Sequence, residues 1–328
     1  MLAVGPNGAG KTNLLESLHV GTQGFSPRTR ADVQLIRFGA DSARVALEGS
    51  QCQAPLQMSV SLSTGDAKKA TLNGAQLQTA EQLRREVSTL VFTPDRLAIV
   101  KGGPAARRAY FDRTLGRLQP ARAVLPAEYA GVVAQRNAAL RRSVLGLSSR
   151  DAIAPWSERV VSLGAQLVAA REETLAALQP GFAERAGELG LSAAALVYEG
   201  EPPSVEQLEA RFERDLERGT TGLGPHLDDV RIVSGGRDLR SYGSQGEQRL
   251  TVLSLLLAEA ELLAERRAAP PLLLLDDVLS ELDPGRRRVL VERVAGAGQT
   301  LVTATQRSAL PTEPAQLLQV SPGEVRAA

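Results

Sequence analysis

Eight residues near the start of the chain, Gly5-Pro6-Asn7-Gly8-Ala9-Gly10-Lys11-Thr12, follow the spacing G-x-x-x-x-G-K-[ST]. Small residues at these positions let consecutive backbone N–H groups face phosphate oxygens at the positive end of a helix dipole. Lys11 is spaced to reach the β- and γ-phosphates, and the Thr12 hydroxyl to meet Mg²⁺. A second stretch, "LLLLDD", ends an apolar run in Asp276 and Asp277. Asp276 is placed to hold the magnesium, and Asp277 to polarise an attacking water. A third stretch, "SYGSQGEQRL", puts Ser244 and Gly246 just ahead of a long helical pattern, a second small-residue helix start that can receive an anion. The phosphate loop by itself fills the β/γ position. Two phosphate-binding helix ends in one chain therefore suggest two chains sharing two nucleotides.

The elements that must position these residues follow from periodicity. Residues 13–20 repeat as a helix after the loop, with only Met1 to Val4 as a strand before it. "ARVALEG" and "LQMSVSLS" alternate as half-buried strands, and Asn73-Gly74 in "TLNGAQL" marks a hairpin. "TLVFTPDRLAIV" reads as a buried strand ended by Pro94. From about Pro104 the period becomes helical through "RRAYFDRTLGRL", "EYAGVVAQRNAALRRSVL", the Trp156 stretch and "SVEQLEARFERDLERG". After Gly222 the pattern returns to α/β: a hairpin in "DDVRIVSGGRDLR", a long helix, a parallel-type strand in "PPLLLLDDV", a helix, and a strand in "QTLVTAT". The expectation is a discontinuous head, residues 1–104 and 220–328, with residues 105–219 as an inserted helical arm.

Composition narrows the class. The 328 residues are 43% hydrophobic and 23% charged, with no apolar run of membrane length and no basic leader. One cysteine, Cys52, and two histidines exclude a disulfide framework and disfavour His/Cys metal chemistry. A cytoplasmic protein is the simplest reading. Net charge is only +1, but it is unevenly spread. Residues 101–150 hold ten Lys/Arg against two acids, and residues 151–220 hold six Arg against thirteen acids. Such neighbouring blocks either form a basic and an acidic face or pair with one another across packed helices. His226 reads as structural, His19 as a helix-surface residue and Trp156 as core of the arm.

Together these motifs resemble the ABC-type ATPases, and among them the RecF family of bacterial recombination mediators related to SMC proteins. The resemblance is carried by Gly5 to Thr12, Ser244-Gln245-Gly246-Glu247-Gln248, Leu272 to Asp277 and Ser280-Glu281-Leu282-Asp283 in that order. "FTPDRLAIVKGGPAARRAYFD", "QRNAALRR" and "GPHLDD" add to it, so that it covers nearly the whole chain. It implies an α/β fold, an ABC-ATPase-like P-loop head with an inserted α-helical lever arm. ATP and Mg²⁺ are the implied cofactors. It also implies an ATP-dependent homodimer on DNA, weak hydrolysis coupled to dimer dissociation, and DNA repair and replication work, including the SOS response, at gaps and stalled forks. RecR, and indirectly RecO and RecA, are the implied partners, with no membrane. Residue by residue, Gly5, Pro6, Asn7, Gly8, Ala9, Gly10, Lys11 and Thr12 form the Walker A loop. Asp276 is the Walker B magnesium residue, and Asp277 stands where many transporters carry Glu. Lys11 and Asp277 are the implied catalytic pair. Ser244, Gly246, Glu247 and Gln248 make the signature that meets the partner's γ-phosphate, and Ser280 to Asp283 the D-loop at the dimer seam.

Three departures stand out. The switch histidine of transporters is missing, and "LVTATQRS" offers Thr303 and Thr305 there, which implies weaker γ-phosphate sensing. The family's "GPHRDD" has Leu227 in place of Arg. Family members carry roughly two further strands before the Walker A loop, so the expectation is a segment missing ahead of Met1 and an unpaired sheet edge beside residues 1–4.

Aromatics are only 3% of the chain, which argues against base stacking and for salt-sensitive phosphate contact with duplex; a place at single-strand junctions is what the resemblance implies. Arg107, Arg108, Arg113, Arg117, Arg136, Arg141 and Arg142 are the candidate DNA contacts. Two other classes remain at this level. A transporter subunit would need a switch histidine and an LSGGQ-like run, and would show no DNA affinity. A non-hydrolysing ATP-binding adaptor would show no turnover.

Overall fold

The computed structural model describes residues 1–328 apart from Arg30, Cys52 and Ala268, and apart from the side chains of Glu81, Asp95 and Glu281. In chain order, β1 (Leu2–Val4) leads through the Gly5–Gly10 loop into α1 (Lys11–Gln23). Then come β2 (Ser42–Gln51), β3 (Ala54–Ser63), β4 (Lys69–Leu72), β5 (Ala75–Gln76) and β6 (Thr89–Phe92). The helical stretch holds α2 (Ala98–Lys101), α3 (Pro104–Leu118), α4 (Leu125–Val144) and α5 (Ala154–Glu188). It is followed by β7 (Ala195–Glu199), α6 (Val205–Ala210), α7 (Phe212–Arg218), β8 (Asp229–Ser234), β9 (Arg237–Asp238), α8 (Leu239–Tyr242) and α9 (Gln245–Arg266). β10 (Leu272–Leu275), α10 (Pro284–Ala295), β11 (Thr300–Ala304), β12 (Leu317–Ser321) and β13 (Glu324–Ala327) close the chain. No helix among the described residues is long and apolar enough to cross a membrane.

These elements form two compact units. Residues 1–96, 188–190 and 252–328 make the first, and residues 97–187 and 191–251 the second. These limits differ from the sequence boundaries at 104 and 220. Residues 220–251 cluster with the second unit because β8 pairs with β7 along Ala195↔Val233 to Glu199↔Asp229, and Arg107 of α3 grips Asp229.

The first unit is built on a six-stranded sheet in the order β13-β12-β1-β11-β10-β6, parallel except for β13. Leu273, Leu274 and Leu275 are fully buried, the signature of a strand covered on both faces. β1 pairs in parallel with β11 on one side and with β12 on the other, so the unpaired edge expected beside residues 1–4 is not there. β12 and β13 went unread in the sequence, and β12 is what closes that side. A second, antiparallel sheet runs β2-β3-β4-β5. Its β4–β5 turn is at Asn73-Gly74, whose φ angles of 47° and 82° give the two left-handed residues that a type I′ turn needs. α1 touches strands of both sheets. His19 on that helix is buried, bonds the Phe25 carbonyl through Nδ1 at 2.9 Å and packs edge-on against the Phe25 ring, which corrects its reading as a surface residue.

The core of the second unit gathers Leu115, Leu125, Tyr129, Val132, Val160, Leu167 and Leu208, with half-buried Trp156 against it. The expected β8–β9 hairpin is present, turning through Gly235 and Gly236 at positive φ. The single helix expected over residues 204–219 is instead two, broken at Arg211. The two charge blocks pair with one another. Asp112–Arg171, Arg122–Glu173, Arg136–Asp215 and Arg150–Glu213 each join residues 101–150 to residues 151–220.

Candidate nucleotide site

The phosphate loop hangs from β1, whose three residues are almost fully buried. Gly8 and Gly10 take φ of 81° and 105°, a region L side chains rarely adopt, and both lie against open space. Gly5 is needed for a different reason: a Cβ there would meet the Val320 carbonyl oxygen of β12 at 2.3 Å. α1 begins at Lys11 with no side-chain cap, so its first N–H groups are left for another acceptor. The Lys11 Nζ donates to the carbonyl oxygens of Gly5 (2.8 Å) and Pro6 (3.0 Å), which folds the lysine over the loop it belongs to.

Asp276 extends β10 by one residue and is buried. Its Oδ2 accepts the Thr12 hydroxyl at 2.9 Å, which joins the loop to the β10 end across 264 residues of sequence. Its Oδ1 accepts the Thr303 hydroxyl at 2.7 Å. Asp277 follows in the left-handed region (φ 48°, ψ 28°), and its N–H donates to the Thr303 oxygen at 2.9 Å. The Ser280 hydroxyl donates to the Asp277 carbonyl at 2.9 Å. Asp283 caps α10 through the Arg286 N–H, and that hydrogen bond holds its carboxyl below the usual range. The Glu281 side chain lies outside the described residues. Thr12 and Asp276 offer hard oxygen ligands and no nitrogen or sulfur, and no cluster of three His, Cys, Asp or Glu residues occurs among the described residues. That donor set suits Mg²⁺, which takes few protein ligands and keeps water and phosphate oxygens for the rest.

The signature stretch belongs to the second unit. Ser244 and Glu247 form a reciprocal cap at the start of α9. The Ser244 Oγ accepts the Glu247 N–H (3.2 Å), and the Glu247 Oε2 accepts the Ser244 N–H (2.7 Å). The Ser244 backbone bond is the main cause of a Glu247 carboxyl held low. Ser244 and Gly246 are exposed. Gln248 is not: it is 2% exposed, and its amide donates to the carbonyls of Leu239 and Gly243. The expectation that Gln248 touches nucleotide is therefore corrected, since its amide N–H groups are taken by the loop ahead of the signature.

Two of the seven arginines expected at DNA are interior. Arg107 is 2% exposed, bonds Asp229 with both nitrogens of one edge at 2.7 Å, and donates to the carbonyls of Val100 and Gly102. Arg136 is wholly buried on Asp215, Ser157 and Thr221. Neither can reach a phosphate. Arg108 is half-buried and donates to the Asp228 carbonyl, and Arg117 is half-buried with a long bond to the Thr114 hydroxyl. Arg113, Arg141 and Arg142 are exposed. His226 is structural as read. Its Nε2 meets the Thr221 carbonyl, its Nδ1 meets the Tyr129 hydroxyl at 3.0 Å, and burial lowers its pKa. Leu227 is exposed and leaves no cation at that position.

Sequence reasoning treated Thr303 only as the place of an absent histidine and missed its grip on both aspartates. The available signal was a hydroxyl at the C-terminal end of a parallel strand neighbouring the one that ends in Asp276.

Residues 1–324 match the family model described as the RecF/RecN/SMC N terminal domain. The DNA replication and repair protein RecF of Anaeromyxobacter sp. (strain K) is 38% identical over 324 residues, spanning 93% of this chain and 86% of that protein. Its counterpart in Heliobacterium modesticaldum is 34% identical over 326 residues, spanning 94% and 87%. Among solved structures, the recombination mediator protein RecF with ATP, of the RecFOR pathway, aligns at a TM-score of 0.88 and 26% identity, covering 100% of this chain and 91% of that one. An Smc head bound to the C-winged helix domain of ScpA aligns at 0.60 and 17% identity, covering 100% and 89%, a likeness of fold.

Proposed function

This chain belongs to the RecF family of DNA replication and repair proteins, and on that premise we propose that it is a weak ATPase that closes as a homodimer on DNA. ATP binds along residues 5–12, with Lys11 moving from the loop carbonyls to the β- and γ-phosphates. Thr12 and Asp276 would hold Mg²⁺, which would supply charge neutralisation at the phosphates. Asp277 polarises the attacking water. Ser244 and Gly246 receive the γ-phosphate held by the partner copy, Glu247 and Gln248 shape that helix start, and Ser280 and Asp283 lie at the seam. Hydrolysis releases the dimer. The first unit serves as the ATPase head and α3 to α7 as the lever arm. Arg108, Arg113, Arg117, Arg141 and Arg142 supply the phosphate contacts with duplex at single-strand junctions. The setting is the cytoplasm, with RecR as direct partner and RecO and RecA beyond it.

The observation that carries this reading is the 2.9 Å bond from the Thr12 hydroxyl to Asp276, which unites loop and acidic strand end in the arrangement Mg-ATP requires. The test is duplex binding with and without ATP at two salt concentrations. Affinity should rise with ATP and fall with salt. Arg141→Glu with Arg142→Glu should lower the salt slope by about 0.9 for each lost contact. Phosphate release measured alongside separates the adaptor: a chain that binds ATP but shows no turnover would be one. A chain without DNA affinity at low salt would leave the transporter-subunit reading.

A further inference from the structure

We infer that Thr303 is a positioning residue that sets both acidic residues of the proposed ATPase centre through one buried hydroxyl. This rests on the ATPase reading above. The parallel register pairs Leu275 of β10 with Val302 of β11, so the next step along both strands brings Asp276 beside Thr303. On its other side Thr303 is paired with Ala3 of β1, the strand that carries the phosphate loop. The residue is 0% exposed. Its hydroxyl is used twice, donating to the Asp276 Oδ1 at 2.7 Å and accepting the Asp277 N–H at 2.9 Å.

Each bond has a separate consequence. Asp276 is held at both oxygens by two threonines, and only Thr12 is a ligand that must turn toward a metal. Once Thr12 does so, Thr303 is what keeps the carboxylate aimed. Asp277 occupies a left-handed conformation that is uncommon outside glycine, although Asp enters it more readily than most residues. Its N–H is fixed by Thr303 and its carbonyl by Ser280, so the backbone that directs its carboxylate is pinned at both ends. A hydroxyl can donate and accept at one atom. Valine has the same shape and can do neither.

The experiment compares Thr303→Val and Thr303→Ser with the parent. ATP affinity is measured by calorimetry in EDTA, the Mg²⁺ concentration at half-maximal turnover and kcat by phosphate release, and the fold by thermal melting. Thr303→Val should keep metal-free ATP affinity within about twofold, since Lys11 and the loop are untouched. Its kcat should fall at least tenfold and its Mg²⁺ requirement rise at least fivefold. Thr303→Ser should stay within about threefold of the parent on every measure. If Thr303→Val does not fold, Thr303→Cys, close in size and a poor donor, replaces it with the same expectation. A folded Thr303→Val with the parent's kcat and Mg²⁺ requirement overturns the inference, as does a folded Thr303→Ser that falls as far as the valine variant. A parent chain that neither binds ATP in EDTA nor turns over Mg-ATP overturns the ATPase reading and this inference together, whereas an active parent beside an indifferent valine variant removes only the role of Thr303.

Discussion

Replacing Arg136 by methionine should destabilise the second unit severely. Arg136 is wholly buried, and its guanidinium donates to the Asp215 Oδ2 at 2.8 Å, the Thr221 hydroxyl at 2.9 Å and the Ser157 hydroxyl at 3.0 Å. Asp215 is itself 1% exposed and would keep a single side-chain bond, from the Gly222 N–H at 3.1 Å. Removing one partner of such a pair leaves a buried charge without its counter-charge, which costs about 3–5 kcal/mol. At about 2–4 °C per kcal/mol for a unit of this size, the melting temperature should drop by roughly 6–20 °C. Removing both charges is a different perturbation. The Arg136 Nη2 has no partner, so the pair is imperfectly satisfied, and Arg136→Met with Asp215→Leu should recover most of the loss. Circular dichroism melts, with limited proteolysis following residues 125–218, would measure both variants. A single variant melting within about 2 °C of the parent, or a double variant no better than the single, would refute the argument that the pair holds α4 to α7.

Four further outcomes are expected. Lys11→Ala should lose ATP affinity by calorimetry while melting within a few degrees of the parent, because its Nζ bonds only the loop's own carbonyls. Ser244→Arg should bind ATP normally yet show no ATP-driven dimer in sedimentation, since an exposed helix start receives a bulky cation. Asp277→Asn should accumulate an ATP-bound dimer on DNA with lowered phosphate release, and the parent's turnover in that variant would exclude the residue as base. Burial pushes the Asp229 carboxyl up, but its bonds to Arg107 and the Val230 N–H outweigh this and hold it below the usual range. A depressed folded value makes its stabilisation complete above the unfolded pKa of about 3.9 and lost as pH falls through the folded one, so Asp229→Asn should flatten the acid limb of urea midpoints below about pH 5.

What the sequence disclosed was chemistry tied to short spacing. The eight residues of the loop, the leucine strand before Asp276 and the Asn73-Gly74 turn each carry their constraint within a few positions, and each stands where expected. What it concealed depends on partners distant in the chain. Arg107 and Arg136 look like any basic residue on a helix until Asp229 and Asp215 arrive from 122 and 79 residues away. His19 is covered by Phe25 and His226 by Tyr129, contacts that periodicity does not encode. β7 and β13 are short and largely unburied, so their alternation is weak, and only pairing with β8 and β12 defines them. The break between α6 and α7 at Arg211 carries no glycine or proline to announce it in the local pattern.

The central place of β1 in its sheet also sets the order in which the protein can form. Leu2 to Val4 lie between residues 302–304 and 317–319, so the strand that carries the phosphate loop finds its neighbours only in the last tenth of the chain. During synthesis the loop leaves the ribosome long before residues 302–319 and must wait for them before it has a sheet to hang from. Contacts so distant in sequence form slowly. A nascent chain halted before about residue 300 would hold the entire second unit and still have no nucleotide site. The arm is free to fold on the ribosome, while the ability to bind ATP waits for residues 302–319.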